Sequence, residues 1–228
     1  MRTESLRVVV ALVLGMATVA RAATITVNST ADAVVNDGNC TLREAILAAN
    51  RDRAVDACGA GSGPDVVVVP SGTYHLTGAA DEDAGLTGDL DITDDLELVG
   101  AGSGVTVATP TQILGPSRGG GGWAIPDQID RVFDIDPGGA GISVRLSGVD
   151  LGSPVTPHID DGGAIRNRGA LVVADSGING SALMRGGGIF SLGSLRVERS
   201  DIGGARSGGA ISALGPLEVV DSFFCCGN

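Results

Sequence analysis

Three segments near the carboxyl end of this chain superpose on one another. They read GGAIRNRGALVVADSGI from Gly162, GGGIFSLGSLRVERSDI from Gly186 and GGAISALGPLEVVDSFF from Gly208. In each, an Ile (165, 189, 211) is followed six residues on by a Leu (171, 195, 217), then a Val (173, 197, 219) and a Ser (176, 200, 222). A large apolar residue closes the unit: Ile178, Ile202 or Phe224. The starts lie 24 and 22 residues apart. Repeats of this length mark a stacked array in which each unit buries its apolar face on the next. The apolar residues alternate with period two and are broken by glycines, which excludes helical repeats. The L-x-x-L-x-L core of a leucine-rich repeat is missing.

The expectation is therefore an all-β fold, a parallel β-helix. Each coil is short strand, turn, short strand, stacked at about 4.8 Å on its neighbour, with the Gly-Gly pairs at corners that need positive φ. The same grammar recurs upstream at 66–78, 88–102, 130–136 and 142–152, each a strand-turn-strand phrase. Residues 115–128 and 152–161 read as loops. About six or seven coils are expected over 65–228, as one domain.

Composition supports a folded array. The chain has 37 glycines, yet 43% of it is hydrophobic and only 3% aromatic. A disordered glycine-rich chain lacks such hydrophobes, so Val, Ile, Leu and Ala build the core.

The amino terminus reads as an export leader. Arg2 and Arg7 precede an apolar run from Val8 to Ala20, and Ala20-Arg21-Ala22 offers small residues where a signal peptidase cuts. The run is shorter than the roughly 20 residues a membrane-spanning helix needs. Residues 1–22 are read as removed and Ala23 as the mature start, giving a secreted or cell-surface protein with no transmembrane segment. The net charge of -12 becomes more negative once three arginines and one glutamate leave, and there is no lysine. Nucleic acid is excluded as a partner, because affinity for it comes from basic residues neutralising phosphates.

One phrase stands apart from the β grammar: CTLREAILAAN, 40–50. Thr41 and Glu44 have the spacing of a capping box. Leu42, Ala45, Ile46 and Ala49 fall on one stripe of a short amphipathic helix. Such a helix, within an amino-terminal capping region at 23–64, would cover the open end of the array, whose exposed edge otherwise invites association. Cys40 and Cys58 bracket the helix, and export permits a disulfide between them. The alternatives are a catalytic thiol or a zinc site, the latter without nearby histidines.

The stretch GNCTLREAILAAN, followed by CGAGSGPDVVVVPSGTYHL, closely resembles the amino-terminal region of CSLREA-domain proteins, with Thr41 in place of the motif's serine. GDLDI, DRVFDI and the GGAI coils look like the β-helical stretch that follows that motif. The resemblance spans roughly 24–224. It implies a secreted or surface-attached bacterial protein of the pectin-lyase-like, right-handed β-helix superfamily, and it supplies no activity.

For chemistry, the acidic segment DEDAGLTGDLDITDD, 81–95, offers Asp89, Asp91, Asp94 and Asp95 as candidate calcium ligands. The alternative is a solvated acidic loop. Asp160-Asp161 lacks a nearby base. Arg131, Arg145, Arg166 and Arg196 are expected on exterior faces, while His75 and His158 are read as structural. No catalytic set and no cofactor site emerges. The leading expectation is a non-catalytic exported protein with an adhesive or structural role, contacting polysaccharide or cell-surface components. The alternative is a carbohydrate-active enzyme, a polysaccharide lyase or, failing that, a glycoside hydrolase. The last unit breaks at Cys225-Cys226 without a polar cap. That reads as truncation at the carboxyl end and predicts self-association through the uncapped coil.

Overall fold

The computed structural model describes residues 22–77, 84–103, 111–114, 131–152, 161–205 and 209–226. Residues 1–21, most of both expected loops, His158, Asp160 and the acidic residues 81–83 lie outside that set.

Among the described residues, eighteen strands and one helix are present, the strands form three sheets, and every strand pair is parallel. The seven-stranded sheet holds β1 (Thr24–Thr26), β2 (Asp65–Val69), β5 (Leu96–Gly100), β8 (Ser143–Ser147), β11 (Ala170–Ala174), β14 (Ser194–Glu198) and β17 (Leu217–Val220). A five-stranded sheet holds β4 (Leu90–Ile92), β7 (Phe133–Ile135), β10 (Ile165–Asn167), β13 (Ile189–Ser191) and β16 (Ile211–Ala213). The six-stranded sheet holds β3 (Gly72–His75), β6 (Thr111–Leu114), β9 (Val149–Gly152), β12 (Gly177–Ser181), β15 (Asp201–Ala205) and β18 (Phe223–Cys226). From β4 onward the chain visits the five-, seven- and six-stranded sheets in turn, and each strand pairs with its counterpart one trio away.

The repeat read from the sequence is the register of these sheets. Ile165 pairs with Ile189 and Ile189 with Ile211. Leu171, Leu195 and Leu217 form a second column, Val173, Val197 and Val219 a third, and Ile178, Ile202 and Phe224 a fourth. These columns extend upstream: Leu98, Leu146 and Val173 stack, as do Leu90, Phe133 and Ile165. Apart from the members in the last described trio, which are partly or largely exposed, they are almost wholly buried and form one continuous core.

The repeated serine has a separate task. Ser176 Oγ donates to Ala174 O and accepts from Val149 N; Ser200 Oγ donates to Glu198 O and accepts from Ser176 N; Ser222 Oγ donates to Val220 O and accepts from Ser200 N. Each hydroxyl thus satisfies a backbone donor of the preceding trio at a corner where the strand ladder cannot.

Gly162, Gly186 and Gly209 sit at positive φ, as the corners demand. The corner before each serine is different. Asp175, Arg199 and Asp221 adopt φ of 50°, 44° and 47°, so non-glycine residues hold the left-handed conformation there. The phrase at 130–136 supplies one strand rather than two, and β1 and β6 arise in segments with no strand expectation.

The helix α1 (Leu42–Asn50) has the capping box in full: Thr41 Oγ1 accepts from Glu44 N, and Glu44 Oε2 accepts from Thr41 N. At nine residues it is too short to persist alone, so tertiary burial holds it. The expectation of a single apolar stripe is too narrow, because every residue from Leu42 to Ala49 is buried, Arg43 and Glu44 included. Cys40 and Cys58 form the disulfide, with Cα atoms 4.8 Å apart. A loop of this size stabilises by about 3 kcal/mol. Cys225 is a free, exposed thiol. Among the described residues no helix is long and apolar enough to cross a membrane.

Candidate functional site on the five-stranded sheet

In β4, Leu90 and Ile92 face the core, so Asp91 between them faces outward. Parallel register places Asp134 of β7 beside Asp91 and Arg166 of β10 beside Asp134. Phe190 of β13 continues the column. Asp89, two residues before Asp91, turns to the same side, and oxygens of Asp89, Asp91 and Asp134 lie within 4.8 Å of one another. All three are at most 5% exposed.

Burying three carboxylates together is costly unless positive charge and donors accompany them. Arginines supply the charge. Arg166 Nη2 binds Asp134 Oδ2, and Arg168 Nη1 lies 3.1 Å from Asp134 Oδ1. Arg131 Nε stands 3.5 Å from Asp89 Oδ2. Asp91 Oδ2 accepts from Gly85 N at 2.9 Å. Further along, Arg185 lies 4.4 Å from the Phe190 ring centroid and forms a two-point pair with Asp161 at 2.9 and 2.6 Å.

The helix builds this site from beneath. Arg43, 2% exposed, donates to Gly85 O, Gly88 O and Asp89 O at 3.1, 2.8 and 2.9 Å, while Asp32 takes its Nε and Nη2. One guanidinium therefore fixes the segment that carries Asp89 and supplies the donor to Asp91. Asn50 behaves like a strand residue laid against β4, donating to Asp91 O and accepting from Thr93 N. The arginine of the helix motif is a structural group beside the β4 edge of the five-stranded sheet, and its glutamate caps the helix and accepts from Val35 N.

Of the four candidate calcium ligands, Asp89 and Asp91 come together and are joined by Asp134. Asp94 and Asp95 do not join them. They lie in the turn after β4, where Asp94 Oδ1 accepts from Asp95 N and Asp95 Oδ1 accepts from Ser143 N. Calcium takes six to eight oxygen ligands, whereas both oxygens of Asp134 and one of Asp91 already accept from nitrogen donors. The donor set suits a salt-bridge network better than a calcium cage. Arg131 is buried rather than exterior, Arg145 and Arg196 lie half-exposed on the seven-stranded sheet, and His75 is exposed. Asp134 was legible only through the repeat: aligning LDI (90–92) and FDI (133–135) with IRN (165–167) places Asp91, Asp134 and Arg166 in one column.

Comparison with family models, with curated proteins and with solved structures finds no match to this chain.

Proposed function

We infer that this chain is a non-catalytic, exported, right-handed parallel β-helix of the CSLREA type, with an adhesive or structural role at the bacterial cell surface. The cyclic order of strands through three parallel sheets supports the β-helix, and the fully formed capping box and buried Arg43 of CTLREA support the resemblance. One observation carries the non-catalytic reading: Asp89, Asp91 and Asp134 are buried, with Asp134 held by Arg166 and Arg168, Asp89 beside Arg131, and Asp91 held by the Gly85 amide. A hydrolase needs carboxylates that face its substrate. Here they hold neighbouring strands and the 85–89 segment in place.

A second reading rests on the same column. Three carboxylates beside Arg131, Arg166 and Arg168 contain the residue types of a polysaccharide lyase, in which bound calcium acidifies a sugar proton and an arginine removes it. Assays for unsaturated products and new reducing ends across acidic polysaccharides, with and without millimolar calcium, separate the two. No turnover and an unchanged thermal midpoint are expected. Turnover abolished by Arg166→Ala would overturn the non-catalytic reading, and a calcium-dependent rise in midpoint would establish a metal site.

A further inference from the structure

Asp65 opens β2 at an otherwise apolar edge of the core and is 1% exposed. Its Oδ1 accepts from Ser62 N at 2.9 Å and Ala23 N at 3.0 Å, while its Oδ2 is buried with no hydrogen-bond partner among the described residues. No ion pair to Asp65 is present among the described residues either. The loop is shaped around this carboxylate: a Cβ on Gly61 would stand 2.1 Å from Oδ2. A buried carboxylate satisfied only by two neutral amides lacks the positive charge that such a group requires.

The residue already touching it, Ala23, is the one read as the mature start. Ala23 is positioned independently of that contact, because Val66 N donates to Ala23 O at 2.9 Å and β1 then runs in parallel register along β2. We propose that Asp65 is the receptor for the α-ammonium group created when the leader is removed, so that maturation completes a buried ion pair at the first edge of the seven-stranded sheet. The inference rests on the export reading above. Hydrolysis of the Ala22–Ala23 peptide by a signal peptidase consumes one water. The Ala22 carbonyl carbon takes the oxygen and leaves as a carboxylate, and the Ala23 nitrogen becomes an amine that is protonated at neutral pH. One amide donor at 3.0 Å is thereby replaced by a charged group with three donors, and charge-assisted hydrogen bonds to carboxylates are about twice as strong as neutral ones. Ala22, the residue lost, is exposed at the mouth of an outward cleft of about 570 Å³, so its departure leaves no hole in the core.

The other ionisable groups on that cleft are Asp95, Glu97 and Arg145. Glu97 and Arg145 pair with each other at 3.5 Å, and Asp95 adds negative field that also favours the ammonium. An ammonium paired in the folded state has its pKa raised. Its stabilisation is complete below the unfolded α-amino value of about 8 and disappears as pH rises through the folded value.

The absence of lysine makes the test clean, since the α-amine is the sole aliphatic amine of the mature chain. A chain made to begin at Ala23 and the uncleaved 228-residue chain are each prepared with Asp65 and with Asp65→Asn. The free-amine form is expected to melt about 3 °C or more above the uncleaved form at pH 7, an effect of ordinary size for a chain of this length. That advantage should vanish with Asp65→Asn and above about pH 10. Acylation of the α-amine by an N-hydroxysuccinimide ester should be at least tenfold slower in the folded chain than in urea, a measurement that stands even if Asp65→Asn does not fold. Equal midpoints, an advantage that survives Asp65→Asn, or equal acylation rates would each overturn the pairing while leaving the export reading intact. Intact mass of the exported protein tests that reading separately: a mature start other than Ala23 overturns the maturation step.

Discussion

The first and last described trios of the strand stack share the same columns and differ in what covers them. At the first, α1 lies across the edge of the five-stranded sheet with eight of its nine residues buried, Arg43 and Asn50 reach backbone groups of the 85–93 segment, and a disulfide closes the loop. At the last, Leu217, Val219 and Phe224 are 48%, 40% and 39% exposed, although their counterparts one or two trios earlier belong to the core, and Phe223, in register with Asp201, is 64% exposed. Stacking alone buries an aliphatic column only from one side at the final trio. What distinguishes the first end is a set of polar side chains shaped to meet strand-edge carbonyls, and a hydrophobic pattern cannot provide that.

The largest effect is expected from breaking that difference at the capped end. Arg43→Ala removes donors from three carbonyls and strands the buried Asp32 carboxylate. Removing one partner of a buried pair costs about 3–5 kcal/mol, so chemical denaturation should show a loss in that range. Asp32→Asn added to Arg43→Ala should recover part of it. A loss under about 1 kcal/mol would mean that α1 merely covers the edge.

Next in size is the contrast within one column. Leu171 is 1% exposed and Leu217 is 48% exposed. Leu171→Ala should cost about 3 kcal/mol and Leu217→Ala under about 1 kcal/mol for the monomer. The apolar face around Leu217 and Phe224 is also expected to draw 228-residue chains together in sedimentation, with Leu217→Arg restoring the monomer. Equal losses at the two positions would show that the last trio is covered in solution.

Smaller again is the serine column. Ser200→Ala leaves Ser176 N without its acceptor in a buried corner and should cost about 1–2 kcal/mol. Ser222→Ala, at the half-buried last corner, should cost clearly less because water can replace the hydroxyl. The same deletion measured at both corners reports how far solvent reaches into the stack.

Much of this contrast could be read from residues alone. The column positions were legible because an interior repeat must place like beside like, and Ile165, Ile189 and Ile211 did so. The capping box and the cysteine pair were legible because both are local or compartment-driven. Arg43 was not, since a charged residue on a short helix reads as solvent-facing until the edge it meets is known. Asp134 was missed for a related reason: its neighbours Asp91 and Arg166 are 43 and 32 residues away, and only the register joins them. The corner at Asp175, Arg199 and Asp221 was hidden because sequence signals for positive φ lean on glycine.

That corner provides the smallest and most specific test. Asp175 and Arg199 occupy equivalent corners 24 residues apart, and Arg199 Nε and Nη2 each lie 2.7 Å from an oxygen of Asp175. The Arg199 hydrogen bonds hold the Asp175 carboxyl below its ordinary range. The pair is about half exposed, so screening limits its worth to under about 1 kcal/mol. Because the folded pKa is depressed, the native state binds the proton less readily than the unfolded chain. The contribution is therefore present above the unfolded value of about 4 and is lost as pH falls through the folded value. Asp175→Asn removes the charge and keeps a residue that tolerates the left-handed backbone. Stability of the parent chain should exceed that of Asp175→Asn at pH 7, converge with it by about pH 2, and converge at pH 7 in 1 M salt. A gap that persists in acid would assign Asp175 to the backbone conformation of the corner and leave Arg199 no electrostatic part in joining one trio to the next.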